Sequence, residues 1–203
     1  MDEDISLTLK IIILGSSEVG KTSILGRYFK DVFRNNPLST IGIDFQTKFF
    51  KFDSKKIKVN YTDTAGQERF HAISINYLKA ANGVILVFDV TKQNTFDALE
   101  GWLKDLKENN KLDIKKVLIG NKIDLEEERE VKKEDAQEFA ENIGCKYYEG
   151  SAKTGQNINE ALDEIARITY LAMKDIKGKE EEEKDAVILE KGNKEKNKKK
   201  KCC

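Results

Sequence analysis

The feature that most restricts this chain is an apolar run that breaks into a glycine loop and resumes as a helix. Leu9 to Leu14 is the apolar run, Gly15-Ser16-Ser17-Glu18-Val19-Gly20-Lys21-Thr22 follows without a gap, and Lys21 to Phe29 reads as helix. A short hydrophobic run bounded by a turn signal is consistent with a buried strand. The loop fits G-x-x-x-x-G-K-[ST] without a mismatch, in the strand-to-helix context that the pattern requires. Its glycines allow a tight turn whose backbone N–H groups point inward, and the helix that follows adds the positive end of its dipole. Such a cradle suits phosphate oxygens. Gly15, Ser16, Ser17, Glu18, Val19, Gly20, Lys21, Thr22 and Ser23 are therefore candidate phosphate-binding residues. Lys21 can reach the β- and γ-phosphates, and the Thr22 hydroxyl can ligate Mg²⁺. The loop selects a nucleoside triphosphate but no base, since ATPases and nucleotide kinases use it too.

The rest of the chain repeats the alternation. Phe45 to Phe52 and Ile57 to Tyr61 alternate with period two around Asp53-Ser54-Lys55-Lys56, a hairpin signal. Val84 to Val90 and Val117 to Ile119 read as short buried strands. Between them Phe96, Leu99, Trp102, Leu103 and Leu106 recur at helical spacing, with Trp102 expected in the core. Ala136, Phe139, Ala140 and Ile143 mark another helix, and Ile158 to Met173 the last. This order predicts an α/β fold, a mostly parallel sheet with helices on both faces. Ligands of such sheets lie at the carboxyl ends of the strands. The loops after Leu14, Tyr61, Ile119 and Glu149 are therefore the places to look.

One of those loops can choose the base. Guanine presents two adjacent donors, a ring N–H and an amine, and the carboxylate of Asp124 in Asn121-Lys122-Ile123-Asp124 can accept both. A buried acceptor left unpaired by the wrong base makes that choice strong. Asn121 can tie the loop to the phosphate loop, and the Lys122 stem can cover a ring face. Ser151-Ala152-Lys153 can offer a backbone N–H to the guanine oxygen, and Phe33 stands where an aromatic edge could close over the base.

Two further segments suit a device that responds to the γ-phosphate. Asp63 ends a strand and can hold Mg²⁺ through water; in the same segment Gly66 lets its N–H approach the phosphate and Gln67 can orient the attacking water. Thr40 supplies a second hydroxyl for the metal, present only with the γ-phosphate. Loops ordered by one phosphate and released on its loss make a two-state switch. No arginine is clearly placed to reach that phosphate; Arg27 and Arg34 could do so only in principle. Turnover is therefore expected to be slow, and His71, the single histidine, is expected to serve at the surface or in packing.

Composition removes other classes. No apolar stretch is long enough to cross a bilayer, and the acidic start Met1-Asp2-Glu3-Asp4 does not fit a secretory signal, so the expectation is a cytosolic chain. Three cysteines, one isolated at Cys145 and two at the end, make neither a disulfide framework nor a zinc site. Cys145 is expected as a small buried hydrophobe in a strand. The formal net charge is zero, but Glu180 to Glu183 form an acidic block and seven lysines fall between 191 and 201. No aromatics interleave with those lysines, which argues against nucleic acid. Residues 1–175 are expected as the guanine-nucleotide-binding domain, and the charge-rich residues 176–203 as a flexible tail.

Across about residues 8–173 the chain resembles the Ras superfamily of small GTPases, and within it the Rab family, regulators of vesicle traffic. The Rab-like segments are Ile41-Gly42-Ile43-Asp44-Phe45, Arg69-Phe70-His71-Ala72-Ile73-Ser74, Tyr77-Leu78-Lys79-Ala80-Ala81, Phe88-Asp89-Val90-Thr91 and the terminal Cys202-Cys203. The resemblance implies a six-stranded sheet with one antiparallel edge strand and five helices. It implies GTP and GDP as ligands with Mg²⁺, and a monomer served by an exchange factor, a GTPase-activating protein, a GDP-dissociation inhibitor, a prenylation escort and effectors. It also implies geranylgeranyl chains on Cys202 and Cys203, holding the protein on the cytoplasmic face of an intracellular membrane in exchange with the cytosol. One lipid binds marginally, whereas two, or one with a basic patch, bind stably. Glu18 departs from the family's small residue, which suggests faster GDP release. Tyr61 is expected in place of the family's tryptophan in an aromatic trio with Phe45 and Tyr77.

Overall fold

A computed structural model of the chain describes residues 4–34, 43–64, 77–109 and 114–176. Met1–Thr169 form one compact unit; of the second, Tyr170–Cys203, residues 170–176 are described and are helical. The strands are β1 (Ile5–Leu14), β2 (Ile43–Phe52), β3 (Lys55–Thr64), β4 (Gly83–Asp89), β5 (Lys115–Asn121) and β6 (Lys146–Gly150). The helices are α1 (Lys21–Lys30), α2 (Gln93–Asp97), α3 (Leu99–Asn109), α4 (Lys133–Asn142) and α5 (158–176), with a helical turn at 77–80 and a 3₁₀ segment at Ile123–Glu128.

The strands form one sheet in the order β2-β3-β1-β4-β5-β6. Only the β2–β3 pair is antiparallel; β1 pairs parallel with β3 and β4, and β4, β5 and β6 continue in parallel. This is the six-stranded, mostly parallel sheet with an antiparallel edge that the family resemblance implied. The chain order reverses around β1, so the crevice beyond its carboxyl end is the natural ligand position. The Gly15–Thr22 loop leaves β1 at that point.

Local chemistry explains the element ends. Every residue of β4 is buried, because helices cover both faces of a parallel sheet and leave no polar side. The β2–β3 hairpin is tighter than its sequence suggested. Asp53 and Ser54 both take positive φ (48° and 62°), so two residues make the turn and Lys55 and Lys56 join the ladder opposite Phe52 and Lys51. The helical pattern through Phe96 and Leu106 is interrupted at Ala98, which keeps φ −66° and ψ −14°. Ala98 N–H still donates to Asn94 O, and Trp102 N–H to Ala98 O, so the interruption is one tightened turn.

One layer of core lies between the sheet and α2, α3 and α4: Leu86, Phe88, Leu99, Leu106, Leu118, Ala136 and Ala140 belong to a single buried cluster, with Trp102 partly buried against it. On the opposite face Ile24, Leu25 and Tyr28 of α1, and Ala161, Leu162 and Ile165 of α5, are buried. Each large aliphatic side chain so removed from water contributes about 1.5–3 kcal/mol. Cys145 does not sit in a strand. It precedes β6, half-buried, where its N–H donates to Ala140 O at the end of α4. Burial pushes its thiol up to about 11, with Lys116 opposing.

The expected aromatic trio is corrected by strand parity. Tyr61 is 1% exposed and faces α1, with ring centroids 5.5 Å from both Tyr28 and Phe29. The residue registered opposite Phe45 is Thr62. Phe45 and Tyr77 do meet, at 5.6 Å, but Tyr61 points to the other side of the sheet because neighbouring strand residues alternate faces.

Candidate nucleotide site

The loop after β1 is shaped by two close approaches. A Cβ on Gly15 (φ 148°) would meet Val87 O at 2.1 Å, and one on Gly20 (φ 96°) would meet Asn121 Nδ2 at 2.3 Å. Any side chain at either position would push the loop off β4 or off the Asn121 loop. Gly20 caps α1 without a side-chain hydrogen bond, and the amino end of a helix carries the positive end of its dipole. Lys21 is 5% exposed and its ammonium donates to Gly15 O (2.8 Å) and Ser16 O (2.7 Å), so it curls across the loop. Val19 is buried, Ser16 and Ser23 are half-buried, and Ser17, Glu18 and Thr22 face solvent.

β3 brings Asp63 to the same crevice. Thr22 Oγ1 donates to Asp63 Oδ2 at 2.6 Å. Asp63 is 2% exposed, and its other oxygen, Oδ1, has no hydrogen-bond partner among the described residues. Burial raises the carboxyl pKa, against the lowering effects of Thr22 and Lys21.

β5 and β6 end in the two loops expected at the base, and the structure ties them together. Asn121 Nδ2 donates to Val19 O (2.8 Å), and Asn121 Oδ1 accepts from the Ala152 N–H (3.0 Å). Of the Ser151-Ala152-Lys153 segment, expected to offer one backbone N–H to a guanine oxygen, the Ala152 N–H is thus engaged with Asn121. Asp124 is held from both sides: Ser151 Oγ donates to Oδ1 at 2.6 Å, and Lys153 Nζ lies 3.4 Å from Oδ2. Phe33 is half-buried beyond the end of α1. Thr40, Gly66, Gln67 and His71 lie outside the described residues, as do Cys202 and Cys203.

Two contacts at these loops were not read from the sequence. Asp89, fully buried at the end of β4, pairs with Lys122 at 2.5 Å and accepts from Thr91 N–H and Thr91 Oγ1. It fixes the lysine whose stem was expected over the base. An acid at the carboxyl end of a buried strand was the available signal. Arg27, considered for the γ-phosphate, instead donates to Ala152 O (3.0 Å) and Lys153 O (2.7 Å).

Sheet order, strand polarity and the loop after β1 define a phosphate-loop small GTPase domain. The Ras family model matches residues 10–170. Over 158 residues, 78% of this chain, it is 42% identical to Ras-related protein Rab-13 of Bos taurus, with 78% of that protein covered. Over the same length it is 40% identical to Ras-related protein Rab-8B of Homo sapiens and to Ras-related protein Rab-8 of Diplobatis ommata, covering 76% and 75% of them. The chain belongs to the Ras family, in its Rab group: it is a small GTPase, a GTP hydrolase that regulates vesicle trafficking. The family binds GTP and GDP and works through regulators and effectors in association with membranes. Among the described residues no helix is long and apolar enough to cross a membrane.

Proposed function

We propose that this chain holds GTP or GDP between the Gly15–Thr22 loop and the Asn121/Ser151 loops, selects guanine through Asp124, and hydrolyses GTP slowly as the timing step of a switch. The observation that carries this reading is the single network from Asp124 through Ser151 and Ala152 to Asn121 and on to Val19 O, which joins a base-reading carboxylate to the phosphate loop. Asp124, oriented by two partners, accepts the two guanine donors; adenine offers no such pair. Lys21 moves its ammonium from loop carbonyls toward the β- and γ-phosphates, and the backbone of Ser17 to Gly20 supplies N–H donors.

The residues present fit Mg²⁺. A buried Asp63 carboxylate oxygen, unpartnered among the described residues, beside the Thr22 hydroxyl is a hard-oxygen donor set, and Thr40 is assigned as the hydroxyl added in the GTP state. When bound, the ion neutralises charge on the β- and γ-phosphates. Gln67 is assigned to orient the attacking water and Gly66 to donate to the γ-phosphate. Since Arg27 is committed elsewhere, the arginine that speeds the reaction comes from an activating protein. An exchange factor, a GDP-dissociation inhibitor and effectors complete the cycle. Prenylated Cys202 and Cys203, delivered by an escort and backed by the lysine block, hold the chain on the cytoplasmic face of an intracellular membrane.

The decisive experiment is competition for fluorescent GDP with and without Mg²⁺. Displacement by GTP but not ATP, lost in Asp124→Ala, is expected; equal displacement by ATP rejects the reading. Single-turnover hydrolysis without a partner is expected at about 10⁻⁴ to 10⁻³ s⁻¹, and a rate near 1 s⁻¹ excludes the need for an arginine in trans.

A further inference from the structure

We propose that Arg27 is the positioning residue of the guanine pocket, setting nucleotide residence time by holding two of its walls with one guanidinium. The proposal rests on the nucleotide reading above. Arg27 projects from α1, its side chain 18% exposed, and spends its donors in two directions. Nε and Nη2 reach the successive carbonyls of Ala152 and Lys153, a match of planar fork to paired acceptors that no other side chain provides. Nη1 reaches both the carbonyl (3.2 Å) and the carboxylate (2.6 Å) of Asp31.

Each direction ends on a recognition element. The Ser151–Lys153 loop carries the hydroxyl and the ammonium that hold Asp124, and the N–H that holds Asn121. Loss of the Arg27 fork therefore loosens the base-reading carboxylate without touching it. Asp31 caps the end of α1 at φ 50°, in the left-handed region that disfavours a residue with a Cβ. Arg27 holds it there on carbonyl and carboxylate, and so sets the direction in which the chain leaves toward Phe33. The guanidinium acts on the base side of the nucleotide; the phosphate side, Lys21, Thr22 and Asp63, has its own contacts.

The test is stopped-flow release of fluorescent GDP from the full chain, in Mg²⁺ and in EDTA. Arg27→Met keeps the stem and removes the fork. Release is expected to accelerate about 10- to 100-fold, by the same factor in both buffers. Arg27→Lys recovers part of the loss, because one ammonium cannot span two carbonyls. Asp31→Asn speeds release by a smaller factor and adds little to Arg27→Met. Release within twofold of wild type in both Arg27 variants overturns the proposal, as does an acceleration confined to Mg²⁺ buffer, which would place Arg27 on the metal side. Where circular dichroism shows Arg27→Met unfolded, Arg27→Lys and Asp31→Asn decide alone, and wild-type rates in both overturn it. Failure of the underlying reading is separate: the wild-type chain would not bind GDP, or Asp124→Ala would bind it unchanged.

Discussion

Glu18 shows how one side chain can alter a loop that works through its backbone. It takes φ 63°, and its exposed carboxylate lies 3.5 Å from Lys92 Nζ, a pair that water largely screens. The left-handed conformation costs roughly 1–2 kcal/mol for a residue with a Cβ, and the charge stands beside a loop built for anions. Glu18→Gly is therefore expected to raise the unfolding free energy by about 1 kcal/mol and to slow GDP release, read by denaturant melts and by nucleotide chase. An unchanged release rate would show that the carboxylate does not reach the phosphates. Asp89 is the opposite case, a buried charge that must stay paired. Asp89→Ala strands Lys122 and should cost about 3–5 kcal/mol along with weaker guanine binding, measured by calorimetry; retention of both would remove Asp89 from the site. The loop motif and Asp124 could be named as candidates from the sequence because each contains its own chemistry. The contacts of Asp89 and Arg27 were not legible there, because their work lies in partners 33 and 125 residues away.

Between elements, polar ties supplement the apolar core. Tyr28 donates to Asp163 Oδ1, Tyr61 donates to Leu162 O at 2.9 Å, and Lys48 reaches Asp163 at 3.1 Å while lying 4.0 Å over the Tyr28 ring. This cluster joins β2, β3, α1 and α5. Burial, then the neighbouring Tyr61 and Asp163, push the Tyr28 hydroxyl well above its ordinary range, so it stays a donor at any working pH. Tyr28→Phe is expected to destabilise by about 1 kcal/mol; a melting temperature equal to wild type would show the tie to be neutral. One residue further along α5, Glu164 is held by Arg167 and Lys146, which bring its carboxyl down to about 2. A depressed carboxylate stabilises the fold above its unfolded pKa and loses that contribution as pH falls through its folded value. Glu164→Gln should melt a few degrees below wild type at pH 6, with the gap closing between about pH 4.5 and 2. A gap independent of pH would place the effect in packing.

At the scale of the whole molecule, a folded nucleotide-binding unit is followed by a charge-rich segment ending in Cys202-Cys203. If paired lipids anchor the chain, Cys202→Ser with Cys203→Ser abolishes sedimentation with membranes in cell fractions, while GDP affinity is unchanged. Persistent sedimentation would move the anchor elsewhere. The linear chain already specified the alternation of strands and helices and the sheet class, and it carried the motifs on which the proposed nucleotide site is built, since periodicity and short motifs are local properties. Three things waited for the folded chain. Tyr61 was misassigned to the Phe45 side because one residue of register decides the face of a strand. Lys55 and Lys56 read as loop until two consecutive left-handed residues closed the hairpin ahead of them. On paper Arg27 could be named only for the γ-phosphate, and only in principle; packing α1 beside the Ser151–Lys153 loop brought two carbonyls within reach of its fork, and only folding creates that proximity.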